Sequence, residues 1–252
     1  MTRSRSRPPG RLAFVLIAAP ILLATVALWP VTTRSGVNYE VGEHPLPLWR
    51  KAWEFLDRHR QTAELASRVA GTAASDEERS LAVLRWTNEH IRPHPAEAPV
   101  IDDHVWSIVE RGYGSSDQQA DVFTTLLTYA GTPAYWILIG PDRPALPVSF
   151  ALIDGRWRVF DVERGIAFRT TAHELATPEE LAADPTLIRA SAAGRVTDTG
   201  SYLAWFRGFT PPTAPEMLRA RMQMPGPRLK FELSSLVGRG GRTWSIRPPG
   251  EQ

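Results

Sequence analysis

The chain has 252 residues, 43% of them hydrophobic, which is enough for one or two domains with a sizeable core. It contains no cysteine, so disulfides, thiolate metal ligation and thiol nucleophiles are excluded together. The net charge of +2 hides two basic ends around an acidic body: Arg34–Thr213 holds 18 Lys and Arg against 24 Asp and Glu. That is not the basic stripe of a nucleic-acid binder, and no nucleic-acid partner is expected.

Residues 1–11 form a basic N-terminus carrying Arg3, Arg5, Arg7 and Arg11. No charge follows until Arg34, and the strongly apolar part, Leu12 to Trp29, is about as long as a bilayer-spanning helix needs to be. The basic flank predicts an anchor over residues 12–30 in the inner (cytoplasmic) membrane, single-pass, with the remainder outside the cytoplasm. A cleaved signal peptide would have an apolar region of only about 7 to 15 residues and an A-x-A-like site, and Thr25-Val26-Ala27 matches that poorly. Residues 31–47 read as a polar, turn-rich linker.

Between Leu48 and Ala70, Trp49, Trp53, Leu56, Leu65 and Val69 recur at helical intervals. Ser75 with Glu78 three residues on is a capping box, opening a helix that runs to about Ile91 and is stopped by Pro93 and Pro95. A short helix, His104 to Arg111, leads into a Gly112-Tyr113-Gly114 turn. Ser115 or Ser116 then caps a helix over Asp117–Tyr129, terminated by Gly131. Beyond it the period changes, predicting strands at Ala134–Ile139, Val148–Ile153 and Arg156–Val162, with Asp154-Gly155 as the turn between the last two. Helices followed by an antiparallel sheet predict an α+β domain over residues 48–190.

The last third holds a helix start at Thr177-Pro178-Glu179-Glu180 and an aromatic cluster of Tyr202, Trp205, Phe206 and Phe209. Two short amphipathic helices, Met217–Pro225 and Arg228–Val237, complete a helical extension over 191–237. The expected role of these helices is to pack across the domain. In the sharper reading Arg219, Arg221, Arg228 and Lys230 face anionic lipid or an acidic partner. Residues 238–252 read as a disordered tail.

The frame Gly114, Ala120, Phe123, Leu126, Leu127, Gly131, then Asp154-Gly155, Trp157 and Asp161, resembles the core of the transglutaminase-like (papain-related) superfamily. The resemblance covers about residues 75–169. It implies a nucleophile at the position of Ser116, where the family has Cys, and a His near Leu146, or near Ser149 in a shorter register. Neither is His. Of the three chemical positions only Asp161 matches, and the third member of such a triad orients an imidazole and does no chemistry alone. A serine hydroxyl also needs an adjacent base more than a thiol does.

Each candidate has a bland reading. Ser116 serves as an N-cap, Asp161 bonds a Trp, an Arg or a turn amide, and of Gln118 and Gln119 one lines the old cleft while the other is solvated. His90, His94 and His104 precede the nucleophile position and are candidates for a recruited base. With Asp102 and Asp103 they also suggest zinc, but Pro93 and Pro95 break the helix that would align His90 with His94, so no metal and no cofactor are expected. Two functions remain. One is a membrane-anchored pseudoenzyme that binds a protein, peptide or glycan as an accessory part of envelope or exopolysaccharide assembly, a setting implied by the resemblance alone. The other is a hydrolase or acyl/amide transferase using Ser116, a recruited His and Asp161.

Overall fold

A computed structural model describes the backbone of residues 10–37, 40–98, 102–140 and 145–236, and their side chains except at 10–17, 34–37, 40–41 and 235–236. The basic N-terminus up to residue 9 and the tail expected over 238–252 lie outside the described residues.

Helix α1 (Gly10–Leu28) contains Pro20, and Ile21, Leu22, Leu23, Val26 and Leu28 are exposed along it. Among the described residues, no helix is long and apolar enough to cross a membrane. The stretch expected as a linker is instead an antiparallel hairpin, β1 (Pro30–Val37) with β2 (Glu40–Pro47), paired from Pro30↔Pro47 to Val37↔Glu40. Val31, Thr32 and Thr33 are strand formers that the surrounding polar residues disguised. The hairpin returns the chain to its start: the Leu48 amide donates to the Trp29 carbonyl at 2.9 Å.

Helices α2 (Leu48–Ala70), α3 (Asp76–His90), α4 (Val105–Arg111) and α5 (Ser116–Tyr129) then gather on one side of the sheet. The Ser75 side chain caps α3 by accepting from the Glu78 amide at 3.1 Å, while the Glu78 carboxylate accepts from Ala74. The pair β3 (Arg92–Pro93) and β4 (Tyr113–Gly114) is parallel and was not foreseen. The sheet itself is antiparallel in the order β5 (Ala134–Ile139), β6 (Leu146–Ile153), β7 (Arg156–Asp161), β8 (Ile166–Ala167).

Alternation along the strands divides the core into two layers. On one face Ala134, Ala151, Ile153, Phe160 and Val162 join Val122, Phe123, Leu126 and Leu127 of α5. On the other, Tyr135, Val148, Phe150 and Val159 meet α6 (Pro178–Ala183), α7 (Thr186–Ala192) and α8 (Thr199–Trp205) through Leu181, Ile188 and Tyr202. The boundary drawn at residue 190 therefore falls inside α7, whose Leu187, Ile188 and Ala192 all belong to this second layer. The chain closes with a 3₁₀ turn, Arg219–Gln223, and α9 (Pro225–Leu236). The expected packing of α9 is not found at Leu229 and Leu233, which are 60% and 54% exposed; Val237 lies outside the described residues.

Asp154 (φ 50°) and Gly155 (φ 73°) are both left-handed, as a two-residue type I′ hairpin between Ile153 and Arg156 requires. A Cβ added at Gly155 would meet nothing within 4 Å, so only backbone strain opposes a side chain there. Gly155→Ala is expected to lower stability by about 1–2 kcal/mol in urea denaturation, without changing the slope.

Candidate functional site

The site is built around the amino end of α5, the most enclosed helix of the fold, with eleven of its fourteen residues buried. Ser115, not Ser116, is the N-cap: it has extended backbone, its carbonyl accepts from the Gln119 amide at 2.9 Å, and its hydroxyl turns to Asp117. Ser116 sits one position later, in the first turn, partly exposed.

Gln118 and Gln119 are both buried, which corrects the expectation that one is solvated. Gln118 organises the loop before the helix. Its Oε1 accepts from Arg111 Nη2 at 2.7 Å and from the Ser115 amide at 3.2 Å, while its Nε2 donates to Asp103 Oδ1 at 2.5 Å. Gly114 lies so close that a Cβ there would stand 3.0 Å from Gln118 Cβ. Gln119 Nε2 donates to the Ile91 carbonyl at 3.0 Å, leaving Oε1 buried without a partner.

The two places considered for the family's base hold buried, non-basic residues. Leu146 lies in the second layer, and Ser149 faces α5 opposite Trp136 and Phe160, its Oγ buried and unpartnered. Asp161 falls between Phe160 and Val162, which face α5, and its carboxylate is turned to the second layer. There Oδ2 accepts from the Tyr202 hydroxyl at 2.9 Å and from Arg164 Nη1 at 3.1 Å, and Oδ1 accepts from the Arg164 amide at 3.2 Å. Burial raises the carboxyl pKa, against the opposing pull of Arg164 and Tyr202. The Arg164 guanidinium is itself held over the rings of Tyr202 and Trp205, 5.4 Å from each centroid. Among the described residues, no imidazole has a part in this arrangement.

Ser116 likewise makes no hydrogen bond to a described histidine. His59 Nδ1 lies 3.0 Å from the Tyr129 hydroxyl, His90 Nδ1 lies 2.8 Å from the Trp86 carbonyl, and His104 caps α4 by accepting from the Trp106 amide at 3.2 Å. His94 differs. It follows the β3–β4 pair, whose register (Pro93↔Gly114) brings the next residues, His94 and Ser115, level with each other. Its ring meets Tyr113 edge-on at 5.6 Å, and its Nε2 is buried with no partner.

Next to Asp103 and Arg219, the partners of Gln118 and Asp121, opens a cavity of about 610 Å³, bounded by β1, α2, the Asp102–His104 segment, the 3₁₀ turn and α9. Lys51, Arg58, Arg219 and Arg228 line it together with Glu54, Asp102 and Asp103 and with the apolar Leu48, Ala52, Phe55 and Met222, so its wall is more apolar than polar and its charges are nearly balanced. Arg219, which only the sharper of the two readings turned to lipid or an acidic partner, is bonded to Asp121 Oδ2 at 2.7 Å; Asp121 Oδ1 accepts from Trp136 Nε1 at 2.6 Å. Burial pushes the Asp121 carboxyl up to about 6, against Arg219 and Trp136, so it is ionised at neutral pH. Burial, then the charge of Arg58, drives His104 down to about 4, leaving it neutral. Among the described residues no group of three or more His, Asp or Glu could hold a metal ion.

The His104 shift has a pH consequence of definite sign. Between its ordinary value near 6.5 and about 4, the unfolded chain binds the proton that the folded chain refuses, so this contribution to stability is full above 6.5 and is lost as pH falls toward 4. Asp121 works in the opposite direction over its own window, so the test is a difference. His104→Asn keeps a capping side chain and removes the titration. Its stability relative to the parent is expected to improve by roughly 2–3 kcal/mol between pH 7 and pH 4, read from urea denaturation at both values.

No family model matches the sequence, and no curated protein matches it. Solved structures with partial likeness include a candidate cysteine protease from Cytophaga hutchinsonii, at 18% identity and TM-score 0.37 over 49% of this chain and 44% of that one. A candidate protease from Parabacteroides distasonis aligns at 12% identity and TM-score 0.35 over 52% of this chain and 35% of that one. A TGase aligns at 12% identity and TM-score 0.34 over 69% of this chain and 52% of that one. The chain thus spans about half or less of each of these structures, and at such scores the likeness decides nothing about the site.

Proposed function

We propose that the chain is a non-catalytic, transglutaminase-like module that binds a peptide or glycan ligand outside the cytoplasm as an accessory part of envelope or exopolysaccharide assembly, anchored in the cytoplasmic membrane by the uncharged run Leu12–Trp29, whose first side chains, up to residue 17, lie outside those described. One observation carries the non-catalytic reading. The carboxylate of Asp161 is engaged on both oxygens by Arg164 and Tyr202, while among the described residues the hydroxyl of Ser116 makes no hydrogen bond to a histidine. A serine without an adjacent base is a weak nucleophile at neutral pH. The family frame, from Gly114 to Asp161, supports the module's ancestry, and the uncharged run with its basic flank supports the anchor. The cavity beside α5 supports binding. Its lining combines apolar Leu48, Ala52, Phe55 and Met222 with guanidinium, ammonium and carboxylate groups, which suits a ligand with apolar faces and several donors and acceptors, such as a sugar ring or a peptide.

A second reading is favoured by one feature only, the unpartnered Nε2 of His94 near the start of α5. In that reading His94 activates Ser116 in a dyad without Asp161. A fluorophosphonate probe separates the two. The full chain is expected to remain unlabelled, and hydrolysis of ester and amide substrates to stay at the buffer rate. Labelling that disappears in both Ser116→Ala and His94→Ala would overturn the non-catalytic reading and install the dyad.

A further inference from the structure

We propose that α2 lies on the lipid interface through Trp49, Trp53 and Leu56, so that the domain rests on the bilayer that holds α1. The proposal builds on the anchor reading above and adds an orientation and a contact surface to it.

The three side chains are 52%, 67% and 50% exposed. At positions i, i+4 and i+7 they form one narrow stripe on a helix. The buried residues of α2, Thr62, Leu65, Ala66 and Ala70, all belong to its second half, so its first three turns stand out from the core with an aromatic face uncovered. The stripe begins where α1 ends. Pro30 pairs with Pro47, the Leu48 amide is bonded to the Trp29 carbonyl, and the Lys51 ammonium donates to the Thr32 carbonyl at 2.6 Å. Trp29, 63% exposed, therefore adjoins the first turn of α2.

If α1 is in the membrane, Trp29 marks the level at which the chain leaves it, and Trp49 is held at that level by the hairpin. Indoles are the side chains that favour this zone, since an apolar body and an N–H donor suit its mixed polarity. Arg50 and Arg60, whose side chains are 61% and 60% exposed, lie by the stripe, but each is paired within the helix, Arg50 with Glu54 and Arg60 with Asp57 and Glu64, so the apolar stripe and not the arginines carries the contact.

The absence of cysteine gives a clean test, because a single introduced thiol carries a nitroxide with no background. Trp53→Cys and Leu56→Cys report the stripe. Ala190→Cys, exposed on α7 in the layer across the sheet, is the control. The full chain is reconstituted into phosphatidylcholine–phosphatidylglycerol vesicles, flotation is checked first, and collision rates with oxygen and a water-soluble nickel chelate are compared. The ratio of oxygen to nickel collisions is expected to be several-fold higher at 53 and 56 than at 190. A chain that floats but shows equal ratios at all three sites overturns this orientation while leaving the anchor intact. Labels at 53 and 56 shielded from both reagents would mean that protein, such as a second copy, covers the stripe, and would also overturn it. A chain that does not float overturns the anchor and the orientation together.

Discussion

The carboxylate of Asp121 is the contact on which the α5 side of the molecule depends. A buried carboxylate costs several kcal/mol unless it is paired and hydrogen-bonded, and here the partners come from two other elements. Trp136 of β5 donates from one side and Arg219 of the 3₁₀ turn from the other, so one charge on α5 fixes the helix against the sheet and draws the C-terminal segment over it. Tyr129, at the other end of the same helix, donates to the Gln223 carbonyl at 2.9 Å and repeats the connection. The segment around residues 219–223 is thus the piece that closes the central helix against solvent, and the cavity beside α5 owes one wall to it.

The second face of the sheet is organised on the same principle with different residues. Asp161 and Tyr202 are buried and meet the half-buried Arg164, and burial keeps the phenol protonated as a donor. A carboxylate in this setting is a structural tie between β7 and α8, with both oxygens engaged. Preorganised sites hold their groups ready for a ligand or an imidazole; this one has spent its acceptors on the fold.

Much of this was legible in the sequence because local chemistry agreed with the final fold. The strand β5, the Asp154-Gly155 turn and the caps at Ser75 and Thr177 all carry their signal within a few residues. What could not be read depends on distant partners. Gln118 and Gln119 look like ordinary first-turn residues until Asp103, Arg111 and Ile91 are brought to them. Tyr202 reaches Asp161 across 41 residues, and no periodicity predicts that. The strands β1 and β2 were hidden for another reason: isolated two-stranded hairpins are marginal, and their residues are too polar to announce a core. The short β3–β4 pair is legible only from tertiary structure, and it is what sets His94 next to the start of α5.

The hairpin also changes what kind of object the domain is. Eighteen flexible residues between Trp29 and Leu48 would let the two ends wander about 24 Å apart on average, making the domain a tethered particle that explores a volume. The observed hydrogen bond between those two residues removes that freedom. Whatever holds α1 therefore also sets the heading of the first turn of α2, and a partner of either element meets the other at a fixed distance.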